Sequence, residues 1–171
     1  YDIILLHSDN VDDTTLAKMM ALQDKTTLFQ QPHPDNTIAY KTEEDVIAHC
    51  SGGGLGLGIF TAAGELIGQT MLSFKQPVSG PFAKKGENSQ ANIEWLMVDD
   101  DYRKNGLSGS LIYLSVLIAE SSGMSQVHAN VRMHNDKALT KFAGFGFIFA
   151  GTVVNQKDGS AHFNAFCASG L

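Results

Sequence analysis

A mixed α/β sheet with helices on its faces is the fold class this sequence predicts. Three observations point to it: about seven short apolar or alternating runs of strand length, about four stretches with apolar residues at helical spacing, and an order of β, α, α, β, β, β, α, β, α, β, β. No repeat, linker or low-complexity segment interrupts that order, so a single domain over residues 1–171 is expected. A chain of 171 residues is long enough to bury most of the surface its unfolded form exposes.

The opening "DIILLHSD" reads as a strand. In "VDDTTLAKMMALQDK", Val11, Leu16, Met19, Met20 and Leu22 fall mostly on one helical face, and Asp12 and Asp13 stand near its start, where the helix dipole favours carboxylates. Pro32 and Pro34 make "QPHPDN" a loop, because they remove amide donors and bias their predecessors away from helix. Thr42 ahead of Glu43, Glu44 and Asp45 is a capped helix start, which makes "TEEDVIAHC" the second helix. "SGGGLGLGIFTAAGELIGQTMLSF" reads as two strands joined around Gly64. There Leu55, Leu57 and Ile59 alternate with Gly56 and Gly58, leaving one face bare for another backbone or a ligand. No Gly-x-Gly-x-x-Gly register and no Gly-Lys-Ser/Thr makes that segment a nucleotide loop.

"KQPVSGPFAKKGENSQ" is polar, Pro/Gly-rich and long, a length usual for functional or mobile loops. "NIEWLMV" is a strand. "GLSGSLIYLSVLIAESSG" is a helix with Leu107, Leu111, Leu114 and Ile118 in one stripe and Gly123 as its stop. "QVHANVR" is a strand, "NDKALTKFAGFG" a helix capped by Asn135, and "FIFAGTVV" and "AHFNAFCA" are strands around a turn at 157–160.

A formal charge of −6 and a pI near 5.4 argue against a nucleic-acid binder and fit a cationic partner better. The apolar runs are too short to span a bilayer, and no signal peptide is apparent. The chain opens with Tyr1 in place of Met, so a shortened or processed N-terminus is expected. Cys50 and Cys167, with no CxxC and no Cys/His cluster, indicate neither a disulfide framework nor a metal site, and the expected compartment is the cytoplasm. His128 and His134 lack a trusted ligand spacing, and His49 beside Cys50 reads as structural.

The stretch "WLMVDDDYRKNGLSGSL" carries the chemistry. A strand, an acidic corner, Arg103, Lys104 and two glycines before a helix aim free backbone N–H groups and the positive end of a helix dipole at one spot, an arrangement suited to phosphate. Gly106 and Gly109 permit close approach. A later stretch, "ANVRMHNDKALTKFAGFGF", adds a strand, an Asn, an Ala three residues on, an aromatic four further and a terminal Gly-Phe. In this order, over residues 92–151, the two stretches resemble the motifs of the GCN5-related N-acetyltransferase (GNAT) family.

That resemblance implies a twisted, mostly antiparallel sheet and the acyl-CoA N-acyltransferase fold, with acetyl-coenzyme A (acetyl-CoA) as co-substrate and no metal. It implies that Arg103, Lys104, Asn105, Gly106, Leu107, Ser108, Gly109 and Ser110 cradle the pyrophosphate. Leu96, Met97 and Val98 would face the pantetheine arm, lying like an added strand where the fourth and fifth strands splay apart; Asn135 would hydrogen-bond that arm, and Ala138 and Phe142 would adjoin it. Ser108 stands where the family has Gly or Ala, and Phe142 where it often has a Tyr that protonates the departing thiolate. Glu94, on the strand that would border the reacting carbonyl, is the candidate base, acting through water; Asn130 stands where some members carry a Glu and cannot accept a proton, and Tyr102, Tyr113 or a water could serve as the acid. The implied activity is acetyl transfer to a primary amine of a small molecule or protein. The alternative is a coenzyme A-binding sensor or partner subunit with impaired catalysis, and a homodimer is a further open expectation. Asp99, Asp100 and Asp101 suit a cationic acceptor or simply solvate the turn.

Overall fold

The computed structural model describes residues 1–28, 41–75, 89–154 and 161–168. The expected loop at 31–36, most of the long loop that follows Phe74, and the turn at 157–160 lie outside them. Seven strands form one sheet in the order β1-β2-β3-β4-β5-β7-β6. In chain order the elements are β1 (Asp2–Leu6), α1 (Asp13–Leu28), α2 (Glu43–Ser51), β2 (Leu55–Phe60), β3 (Leu66–Lys75), β4 (Gln90–Val98), α3 (Leu107–Ser121), β5 (Gln126–Arg132), α4 (Asp136–Gly144), β6 (Ile148–Val154) and β7 (Ala161–Ala168). β4 and β5 pair in parallel, as a crossover through α3 requires, whereas the β1–β2, β2–β3, β5–β7 and β6–β7 pairings are antiparallel. Among the described residues no helix is long and apolar enough to cross a membrane.

The chain divides into two compact units, the first comprising Tyr1–Leu72 with Trp95–Leu111 and the second Ser73–Glu94 with Ile112–Leu171. In the first, α1 lays Leu16, Met19 and Leu22 against Leu6, Val46, Leu66, Met71 and Trp95. Asp12 starts that helix by accepting the Thr15 N–H at 2.8 Å, which holds its carboxyl below the usual range. Thr42 and Asp45 form a reciprocal capping box at α2. The bare face of β2 is closed from within. A Cβ on Gly56 would lie 3.2 Å from Leu6 Cβ, and one on Gly58 would lie 2.7 Å from the Phe60 ring. His49 hydrogen-bonds the Leu55 carbonyl at 3.1 Å in space left by Gly54, which accounts for it structurally.

The second unit pairs Gln90–Ile93 of β4 with Gln126–Ala129 of β5, and β5 with β7 along its whole length. Val127, Ala129 and Val131 bury one face of β5, and Phe142 meets Phe147 edge-on at 5.0 Å. The stripe expected on α3 needs correction. Leu107 and Leu111 are buried, but Leu114 and Ile118 are only half-buried, while Ile112, Ser115, Val116 and Ala119 are buried instead. Most positions from Leu111 to Ala119 are apolar, so spacing alone could not choose the buried face.

One strand breaks its own alternation. Burial alternates along β4 up to Trp95, after which Leu96, Met97 and Val98 are all half-buried. Trp95 has φ 56°, a left-handed conformation that costs a non-glycine residue about 1–3 kcal/mol. Its indole is buried, and Nε1 donates to Gln23 Oε1 at 2.7 Å. Gln23 is itself fully buried, and its amide also accepts the Lys41 N–H at 2.9 Å and donates to the Lys41 carbonyl at 3.0 Å.

Replacing Gln23 with Leu strands the indole N–H and the Lys41 peptide groups. We expect urea unfolding to show a loss of about 2–4 kcal/mol; a loss below about 0.5 kcal/mol would show that Trp95 needs no such partner.

Candidate active site

The site grows from the end of β4. Asp99 is the first residue past the strand, and its N–H donates to the Ile67 carbonyl of β3 at 2.9 Å. Met97 is fixed through its sulfur, which accepts from Thr26 Oγ1 at 3.5 Å and Gln69 Nε2 at 3.8 Å. The Asp99 side chain caps a single 3₁₀ turn, Asp100–Tyr102, by accepting the Asp101 N–H at 3.1 Å, while the Tyr102 N–H donates to the Asp99 carbonyl at 3.0 Å.

The acidic corner is paired with the chain's own cations. Asp99 is only 1% exposed, and its Oδ2 lies 2.6 Å from Lys25 Nζ, which also reaches Asp101 Oδ2 at 3.0 Å. These hydrogen bonds to Asp99, then Asp101, hold the Lys25 ammonium well above the usual lysine range. Asp100 pairs with the Arg103 guanidinium. The three carboxylates are thus engaged by Lys25 and Arg103.

Beyond the turn, the segment Arg103–Gly106 is exposed, and Lys104 and Gly106 take left-handed φ values of 68° and 78°. Reversals of this kind turn successive N–H groups toward one side, the geometry of an anion-binding nest. Helix α3 follows at once, its first internal bond running from the Ser110 N–H to the Gly106 carbonyl at 3.1 Å. Among the described residues, the N–H groups of Lys104, Asn105, Gly106, Leu107, Ser108 and Gly109 have no acceptor. They cluster at the positive end of the α3 dipole. Leu107 and Gly109 are buried, while Ser108 is half-buried and Ser110 exposed.

Tyr102 donates its hydroxyl to Glu65 Oε2 at 3.4 Å and meets the Tyr1 ring edge-on. The Glu65 charge, with some desolvation, pushes the phenol above its ordinary value. The first unit therefore brings together Leu96, Met97, Val98, Tyr102 and the whole segment Arg103–Ser110.

Glu94, Asn135, Ala138 and Phe142 belong to the second unit. Glu94 is half-buried, its Oε1 accepting from Ser73 Oγ at 2.8 Å and Asn92 Nδ2 at 3.0 Å. Asn135 caps α4 through its Oδ1, which accepts the Ala138 N–H at 3.1 Å. Phe142 is buried and brings no proton. His128 bonds Asn164 and Gln126 and stacks on Phe166. Among the described residues no group of His, Cys, Asp or Glu is gathered to hold a metal.

Sequence reasoning missed four supporting residues: Gln23, Lys25, Glu65 and Ser73. Lys25 is 74 residues from Asp99, and no local pattern signals such a contact.

Comparison with known proteins gives the family and the fold. The model of the Acetyltransferase (GNAT) family matches residues 16–147. No curated protein matches the chain. The fold is shared with a chain of the NatC complex bound to Gag peptide and CoA, at 13% identity and TM-score 0.71 over 98% of this chain and 99% of that one. An N-acetyltransferase from Staphylococcus aureus Mu50 superposes with TM-score 0.72 at 12% identity, covering 98% of this chain and 96% of its own. A GNAT-family acetyltransferase from Streptococcus pneumoniae gives TM-score 0.69 at 14% identity over 98% of this chain and 99% of that one. With the family model covering most of its length, the chain belongs to the GNAT family and is an acetyl-CoA-dependent acetyltransferase.

Proposed function

We propose that this chain, as a single domain over 1–171, transfers the acetyl group of acetyl-CoA directly to a primary amine of a small molecule or of a protein, in the cytoplasm. The observation that carries this reading is the run of unpartnered N–H groups from Lys104 to Gly109 at the start of α3, after two left-handed residues. Six donors and a helix dipole fit a pyrophosphate, and Lys104 adds an exposed positive charge. Arg103 contributes its place in the turn, since Asp100 holds its guanidinium. Leu96, Met97 and Val98, at the end of β4, are assigned to an extended pantetheine arm from the GNAT motif. Asn135, Ala138 and Phe142 are assigned to the same arm from the GNAT motif, with Ala138 leaving room and Asn135 keeping its Nδ2 as a donor.

Bound acetyl-CoA supplies the activated acetyl thioester. The protein must supply a neutral amine. An amine of pKa about 10.4 is roughly 0.1% neutral near neutrality, which costs about 4 kcal/mol. Glu94 is the proposed base, directly or through water, its carboxylate oriented by Ser73 and Asn92. A departing thiol of pKa about 8.5 is a fair leaving group. Tyr102, held protonated beside Glu65, is the proposed donor to that thiolate in place of the hydroxyl Phe142 lacks.

Calorimetric titration with acetyl-CoA, followed by a free-thiol assay over a panel of amines, tests the reading as a whole. Binding with thiol release on one class of amine names the acceptor; absence of binding ends the proposal. Gly106→Glu places a side chain and a negative charge in the cradle at a left-handed position, so binding should be lost. Glu94→Gln should lower kcat by about 10²-fold or more while acetyl-CoA affinity stays within about twofold; unchanged turnover would move the base elsewhere. Finally, ¹³C-tyrosine titration should find Tyr102 ionising above an ordinary tyrosine, and Glu65→Gln should lower its pKa, since the nearby anion opposes the phenolate. A Tyr102 that titrates normally would remove this electrostatic role of Glu65.

A further inference from the structure

We propose that Lys25 of α1 is a positioning residue for acetyl-CoA: by tying Asp99 and Asp101 together it holds the loop 103–109 in the conformation that presents its amides. The inference rests on the cradle assigned above.

Lys25 stands three residues beyond Leu22, whose side chain is buried in the core, so the packed face of α1 fixes where the ammonium emerges. It meets a carboxylate with little freedom. One Asp99 oxygen takes the ammonium at 2.6 Å and the other takes the Asp101 N–H at 3.1 Å, while the Asp99 peptide groups are engaged by Ile67 and Tyr102. The second arm of Lys25, 3.0 Å from Asp101, clamps the turn across its first residues. Tyr102 and Arg103 follow in the chain, and the unpartnered amides begin one residue later.

A hollow of about 250 Å³ opens at this point, lined by Lys18, Lys25, Glu65, Leu66 and Asp99 among others. Lys18 is the other cation there, but its Nζ donates to the Gly64 carbonyl at 2.8 Å and lies over the Phe60 ring. Lys25 is thus the cation that answers Asp99. Without it, a carboxylate that is 98% covered along its side chain loses its counter-charge and must draw in water or swing outward. Either response releases the Asp101 N–H and the 3₁₀ turn that launches the loop.

The cost appears as a population. If the presenting conformer falls from nearly all molecules to about one in ten, apparent affinity falls about tenfold with no contact to the ligand removed.

The test uses the full chain. Lys25→Met should weaken acetyl-CoA binding by about tenfold, leave kcat at saturating acetyl-CoA within about twofold, and speed hydrogen exchange of amides 101–109 in the ligand-free protein. Lys25→Arg should restore most of the affinity. Asp101→Asn breaks only the exposed arm, since Asp101 is 77% exposed along its side chain, and should shift affinity in the same direction with the fold retained. It carries the test if Lys25→Met does not fold. Native affinity and native exchange in these variants would overturn the inference. So would a deficit that disappears in 1 M salt, because Lys25 would then act only as a distant charge. Gly106→Glu separates the two levels of argument. If it loses binding while Lys25→Met and Asp101→Asn do not, the tie is wrong and the cradle stands; if it binds normally, the cradle itself is wrong.

Discussion

The chemistry of this chain hangs on the conformation of Trp95. A tryptophan at φ 56° in mid-strand is unfavourable, and it persists because the indole is buried in the first unit's core and its N–H has a short bond to Gln23. The consequence is a change of phase along β4. Before Trp95 the strand alternates buried and half-buried residues; after it, Leu96, Met97 and Val98 follow a different pattern, and Asp99 arrives buried at the strand exit. The turn, the loop and the start of α3 all take their places from that exit. A core contact between α1 and β4 thereby sets the place of the loop proposed to hold phosphate, which neither residue touches.

Around that exit, charge is used for shape. Three consecutive aspartates would repel one another and any incoming pyrophosphate if they stood in solvent. Here Asp99 and Asp101 share Lys25, and Asp100 takes Arg103. The positive groups nearest the loop are then Lys104 and the end of the α3 dipole. Carboxylates that look from the sequence like bait for a cation are engaged by the chain's own cations.

Much of this was legible in the sequence because the signals were local. Thr42 with Asp45, Asn135 with Ala138, and Gly106 before "LSGSLI" are short-range patterns whose physics needs no partner element, and the structure has them capping and starting α2, α4 and α3. The seven strands and the order of elements along the chain were readable for the same reason. What stayed hidden depends on distant contacts. The glycine face of β2 reads as an opening, yet Leu6 and Phe60 fill it. The buried side of α3 could not be chosen from a nearly continuous apolar run. Lys25 reads as an ordinary exposed residue of a helix end until Asp99 is placed beside it. Trp95 reads as plain core, and nothing in "NIEWLMV" announces a left-handed residue.

The free donors from Lys104 to Gly109 belong to the main chain, and this has a consequence for how such a site can be found or lost. An alanine scan would pass through the segment without deleting one donor, Gly106 excepted for its backbone angle. Only proline erases an N–H. Of single substitutions in the segment, it is therefore a change to proline that tests a main-chain donor directly.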